Sequence, residues 1–411
     1  MNDARCMIGA VAAVLGLLAG QALSQEAKPS DWPQWRGPGR DGKAVGLKVP
    51  AAWPAQLTQR WKVPVGAGDA SPVVASGKVY VFVRQGGDEV TLCLNAADGK
   101  EVWRDAFPVA AITGPDASAH SGPRSTPAVA EGKVVTLGVT GVLTCLDAGK
   151  GTVVWRKDEN KGTPRFHTAS SPIIVDGLAI AQLGPEGTGA IVACELATGK
   201  EKWQCANQGA AYASPVLATI ENTRMIVTLT DKNVVGIGLA DGKLLWSVPF
   251  AAGYNAATPI VADGGIVIVS GMGRVGTKAL RVSRTGDSWK AEEVWANPLG
   301  VMYCTPVMRD GFLYAISDKG SMFCLNARTG ETVWTDPVNK LGNFGAMLDA
   351  GGAVLCLPSR SELLVIKPGV TEYAELARYR VGDGQIFACP AVSGGWIYVK
   401  DKDSVIAWTL E

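Results

Sequence analysis

Short apolar runs recur along the chain from about residue 70 to its end, each a few residues long and cut off by a Gly, Asp-Gly or Thr-Gly turn. Runs of this length between turn residues are β-strands. Between Ser71 and Arg104 the pattern reads as four of them, at 71–74, 78–84, 89–94 and 101–104. The Asp98-Gly99 pair before the fourth supplies the positive φ of a tight connection, which glycine adopts without steric cost. The same unit returns at intervals of about forty residues. Each copy opens on a Ser-Pro or Thr-Pro step or a worn form of it, at Pro72, Pro127, Pro172, Pro215, Pro259, Pro306 and Pro390, with Met347 in the seventh place. Each copy closes on an aromatic residue: Trp61, Trp103, Trp155, Trp203, Trp246, Trp295, Trp334 and Tyr379. Repeats of this length, built from short strands and glycine turns, are propeller blades.

The residue types fit that geometry. Proline at the start of a first strand suits the innermost edge of a blade, where a missing N–H breaks no ladder bond. A repeated Trp can bury roughly 150–250 Å² against a neighbour, which predicts that the closing aromatics staple one blade to the next. The series is offset, because Trp61 precedes the first opening and Pro390 has no closer after it. A circular closure removes the offset: residues 59–65 supply the outer strand of the blade whose inner strands lie in 388–410. The predicted fold is therefore all-β, an eight-bladed propeller of four-stranded blades over residues 53–411, with an N-terminal strand completing the last blade and leaving no open seam.

The N-terminal region has no blade periodicity. Apolar residues 7–20 follow Arg5 and lead into Gln21-Ala22-Leu23-Ser24, so residues 1–24 read as a secretory signal, and the mature protein is expected in the periplasm or cell envelope. Residues 25–52 form an extension centred on Asp31-Trp32-Pro33-Gln34-Trp35-Arg36-Gly37-Pro38-Gly39-Arg40-Asp41-Gly42, expected to pack on the ring, with a partner-facing role for its Trp pair as the alternative. The formal net charge of +1 comes without a basic stripe, which argues against nucleic acid as a partner. After the signal no stretch is long and apolar enough to span a bilayer, and a monomer is expected. Cys93, Cys145, Cys194 and Cys324 occupy matching places in four blades. Equivalent places lie a blade apart, beyond the roughly 7 Å limit for a disulfide, so these cysteines read as small buried hydrophobes. Cys205, Cys304, Cys356 and Cys389 follow no repeat and have no assigned pairing.

Candidate chemistry is sparse. Gly271-Met272-Gly273-Arg274-Val275-Gly276 matches a dinucleotide fingerprint, but the alternation over 277–283 predicts a strand where that motif requires a helix. The only histidines, His120 and His167, stand in the two longest connections between a closer and the next opening, where function concentrates, and have no metal-ligand spacing. Three residues before each opening position stand Asp69, Arg124, Ala169, Tyr212, Ala256, Tyr303, Phe344 and Phe387. Placed around one mouth of the central channel, four aromatics and one opposite-charge pair could form a ligand pocket or simply plug the channel. Asp69, Arg124, Tyr212, Tyr303, Phe344, Phe387, His120 and His167 are the candidate ligand-binding residues. No catalytic residue or metal ligand is nominated, and no nucleophile elbow, HExxH or phosphate loop is present.

The turn-and-Trp units, such as Leu94-Asn95-Ala96-Ala97-Asp98-Gly99-Lys100-Glu101-Val102-Trp103, resemble the tryptophan docking motif of the pyrroloquinoline-quinone-like (PQQ-like) β-propeller repeat family over residues 53–411. Residues 31–42, with Gly122-Pro123-Arg124-Ser125-Thr126-Pro127, look like an exported bacterial subgroup labelled by similarity to BamB, although the lipidation cysteine of that lipoprotein is absent from the signal junction. The resemblance implies a non-catalytic propeller that offers a rigid ring to envelope proteins, with no cofactor. It also implies an alternative, a quinoprotein dehydrogenase holding PQQ and calcium with an Asp base, and the aromatic mouth leaves a further one, a binder of carbohydrate or another small ligand there. No calcium-ligand or catalytic position can be matched, and no two cysteines are adjacent as in the disulfide ring of many such dehydrogenases.

Overall fold

The computed structural model describes residues 31–113, 120–158, 162–369 and 371–411. The expected signal, 1–24, and the first residues of the extension lie outside the described residues. Eight four-stranded antiparallel sheets form the blades of one ring. Blade 1 spans Val73–Pro108, blade 2 Ala128–Lys157, blade 3 Ile173–Cys205 and blade 4 Val216–Pro249. Blades 5 to 7 span Ile260–Asn297, Val307–Thr335 and Gly345–Arg380. Blade 8 joins the two ends of the chain: Thr58–Pro64 pairs with Ser404–Thr409, outside Trp396–Lys400 and Ala391–Ser393. The closing strand is thus the one expected from the offset, and the ring has no free seam.

Burial follows position in the blade. The third strand of blade 1, Asp88–Asn95, is buried almost throughout because neighbouring blades cover both its faces. The outer strand Glu201–Cys205 buries only Trp203 and Cys205 and leaves its polar residues in solvent. Motif residues 271–276 form a short turn that feeds the strand Thr277–Thr285, so no helix stands ready for a pyrophosphate. The eight cysteines from Cys93 onward are all buried and unbridged.

The blades are fastened to one another at two radii. At the outer radius, the indole of one blade lies over the turn glycine of the next and donates its Nε1–H to the carbonyl beside that turn. Trp103 donates to Ala148 at 3.1 Å, Trp155 to Leu196 at 2.9 Å, Trp203 to Leu239 at 3.0 Å and Trp295 to Ala327 at 3.1 Å. Trp61 of blade 8 does the same to Ala96 of blade 1 at 3.0 Å, which fastens the closure. Tyr379 uses its hydroxyl instead, donating to Pro54 at 2.8 Å, because the matching turn of blade 8 is the gap between the chain ends. Trp246 and Trp334 are the exceptions. The third and fourth strands of blade 5 continue outward to the hairpin tip at Gly286, and Trp246 bonds the Met225 sulfur of its own blade. Trp334 finds no hydrogen-bond partner among the described residues and packs edge-on against Tyr373 of blade 7.

At the inner radius the Ser or Thr before five of the opening prolines has a specific task. Its hydroxyl accepts the backbone N–H of the equivalent residue one blade away. Ser71 N–H donates to Thr126 Oγ1, Thr126 N–H to Ser171 Oγ, Ser171 N–H to Ser214 Oγ, Thr258 N–H to Thr305 Oγ1 and Cys389 N–H to Ser71 Oγ. These N–H groups are buried and have no strand partner, so each bond removes a penalty of roughly 1–3 kcal/mol.

Two variants test the outer fastening. Trp61→Ala is expected to destabilise the protein by about 3–5 kcal/mol in denaturant unfolding. Gly99 has φ +72°, and a Cβ there would meet the Trp61 ring at 2.9 Å, whereas Gly77, at φ +74°, has open space. Gly99→Ala should therefore cost about 1–3 kcal/mol more than Gly77→Ala.

Candidate functional site

Beyond the hydroxyl ring the channel is filled by residues 31–49, which touch most of the blades. Trp32 exchanges two backbone hydrogen bonds with Val74 of blade 1, and Pro33 accepts one from Val129 of blade 2. The Arg40 guanidinium donates to the Pro172 carbonyl at 2.8 Å and to Ser171 at 2.9 Å. Arg36, also buried, donates to the carbonyls of Thr305, Pro306 and Met347. Asp349 of blade 7 exchanges backbone bonds with Gly42 and Ala44. These two cations lie in the channel and satisfy carbonyls that the inner edge strands leave open. Trp32 is 1% exposed, and Trp35 is held by a 2.9 Å bond from its Nε1 to Thr258 Oγ1.

Trp35 is the floor of a blind cavity of about 560 Å³ at one mouth of the channel. All eight residues of the ring before the openings line it: Asp69, Arg124, Ala169, Tyr212, Ala256, Tyr303, Phe344 and Phe387. Phe166 and Tyr254 line it too, beside the small residues Ala169 and Ala256. They complete an unbroken chain of ring contacts: Tyr212 to Phe166 at 6.2 Å, Phe166 to Tyr254 at 5.3 Å, Tyr254 to Tyr303 at 6.2 Å, Tyr303 to Phe344 at 4.3 Å, Phe344 to Phe387 at 4.7 Å and Phe387 to His120 at 4.8 Å. Sequence reasoning missed Phe166, Tyr254 and Trp35. The signal for the first two was present, an aromatic two or three residues ahead of an alanine in an otherwise aromatic slot.

The charged sector closes the circle. His120 Nδ1 lies 2.7 Å from the Asp69 carboxylate, and Arg124 donates to the backbone carbonyls of Phe166 and His120. Burial lowers the pKa of Arg124, and Asp69 opposes that shift. His167 does not line the cavity: its backbone adopts φ +64°, and its Nδ1 is buried without a partner among the described residues. Burial, then Arg124, lowers its pKa. Glu89 supports this corner from behind. It is fully buried, one of its carboxylate oxygens accepts Val139 N–H at 2.9 Å, and the Val139 carbonyl accepts Thr168 N–H in the connection that carries Phe166.

A closed eight-bladed propeller with a filled channel and a blind aromatic mouth is the class these features define. The family profile described as outer membrane protein assembly factor BamB matches residues 49–211 and 187–336, and the chain belongs to that family of PQQ-like propellers. Among its relatives, BamB of Yersinia pestis is 21% identical over 282 residues, 65% of this chain and 69% of that protein. In fold it is similar to BamB of Moraxella catarrhalis, with TM-score 0.64 and 14% identity over 86% of this chain and 98% of that one. It is equally similar in fold to the quinohemoprotein alcohol dehydrogenase of Comamonas testosteroni, with TM-score 0.67 and 15% identity over 93% of this chain and 81% of that one. A calcium–quinone pair would need several carboxylate or carbonyl oxygens converging on the ion. Among the described residues Asp69 is the only carboxylate in the cavity lining and is bonded to His120, and no group of three His, Cys, Asp or Glu is placed to hold a metal. This donor set does not fit such a pair.

Burial pushes the Glu89 carboxyl up to about 7. The folded protein therefore holds a proton that the unfolded chain has lost between about pH 4.5 and 7, so stability falls as pH rises through that window. Glu89→Gln keeps the acceptor for Val139 and cannot ionise. It should raise stability at pH 8 by an amount on the order of 2 kcal/mol and leave it nearly unchanged below pH 4.5, as read from unfolding curves at the two pH values.

Proposed function

We propose that this chain is an exported, non-catalytic scaffold of the bacterial cell envelope, a BamB-like propeller that presents its mouth to protein partners in outer-membrane protein assembly. The observation that carries this reading is the filled channel: residues 31–49 turn an open tube into a rigid blind cup whose walls are aromatic rings. Such a cup suits recognition. Among the described residues its lining holds one carboxylate, bonded to a histidine, and no second carboxylate faces it across a reacting position. Family membership supports the envelope placement, and the signal-like residues 1–24 supply the route. The protein works as a monomer, without quinone or calcium and without nucleic acid.

Partner capture tests the scaffold reading. A photo-crosslinking residue in place of Tyr303, compared with one in place of the outer-strand residue Val294, is expected to trap outer-membrane assembly proteins from fractionated envelopes at the mouth. Absence of such partners at both positions would count against the proposal. The dehydrogenase alternative has its own arm. Titration with PQQ, with and without calcium, is expected to show no saturable binding, whereas calcium-dependent binding followed by dye reduction with alcohols would replace the scaffold by an enzyme.

A further inference from the structure

The cup is chemically two-sided. Tyr303 runs near-parallel to two neighbouring rings, Tyr254 at an interplanar angle of 25° and Phe344 at 21°, which leaves much of its edge toward the cavity it lines. Ring edges carry the positive end of the aromatic quadrupole. Across from this wall stands Arg124, partly buried, donating to the backbone carbonyls of Phe166 and His120 and with no ion pair among the described residues. The lining carboxylate of Asp69 is bonded to His120. A cation withdrawn from water with no anion in contact is costly, and an anion entering the cup would relieve that cost.

We propose that the mouth is a receptor for a carboxylate carried on a ring-bearing apolar body, with the carboxylate on Arg124 and the body along Tyr303, Phe344 and Phe387 above Trp35. A volume of about 560 Å³ accommodates a ligand of this kind. A free aryl acid has this chemistry, and so does the last residue of a polypeptide that ends in an aromatic side chain. The inference rests on the scaffold reading and supplies the occupant of its mouth.

Calorimetric titration tests it with 3-phenylpropanoate, its neutral amide, and a short peptide ending in phenylalanine with a free or an amidated C-terminus. The acids are expected to bind at least about tenfold more tightly than the matching amides. Arg124→Gln should bring the acids down to the level of the amides. Because Arg124 also braces two carbonyls, Phe344→Ala is the second variant, expected to weaken acid and amide alike while a thermal melt shows both proteins folded. A peptide acid that binds more tightly than the small acid identifies a chain terminus as the source, and the reverse order identifies a small molecule. Equal affinity of acid and amide, or no saturable binding of either at millimolar concentration, overturns the inference. If the same preparation still captures assembly partners, only this inference falls and the scaffold reading stands.

Discussion

The indole of one blade lying on the turn glycine of the next is the contact on which the ring depends. A single blade is a small twisted sheet that cannot bury both its faces alone, so each needs a neighbour at a fixed angle and spacing. Trp103 over Gly151 and Trp155 over Gly199 set that spacing, because a glycine lets the ring approach its backbone and the Nε1–H reaches a carbonyl only at the right depth. The hydroxyl bonds between openings, such as Thr126 to Ser171, fix the same pair of blades at the inner radius. Two fixed radii leave a blade little freedom to tilt.

The same demand explains the departures. Where blade 5 carries a long hairpin in place of the short turn, Trp246 has no carbonyl to reach and turns to the Met225 sulfur. Where blade 7 opens on Ala346 and Met347, the hydroxyl is missing, and Arg36 of the extension donates to the Met347 carbonyl instead. The extension thus works as a hub that supplies bonds along the channel wall. Its placement also creates the cup, since Trp35 closes from below what the mouth residues surround.

The site is accordingly a by-product of symmetry broken in a few places. One position, repeated eight times, points toward the mouth, and its occupants divide into a charged sector on blades 1 and 2 and an aromatic arc on blades 4 to 8. Alanine at two places leaves room that Phe166 and Tyr254 fill from neighbouring loops. A rigid cup of this kind can be specialised by changing a single ring of residues without disturbing the staples outside it, so the fold alone does not fix what the mouth does.

By itself the sequence determined the blade count, the circular closure, the strand order and the ring of eight mouth positions. Each rests on a local rule repeated eight times: an opening step, a glycine turn, a closing aromatic. Periodicity amplifies weak local signals, so even the worn copy at Met347 was placed by counting. Tertiary structure alone decided that residues 31–49 thread the channel, that Trp35 floors the cup, that Phe166 and Tyr254 join the arc while His167 stays out of it, and that Glu89 lies buried behind it. None of these belongs to the repeat. Their positions depend on contacts between segments far apart in the chain, such as Trp35 with Thr258 and Glu89 with Val139, and no period encodes such a contact.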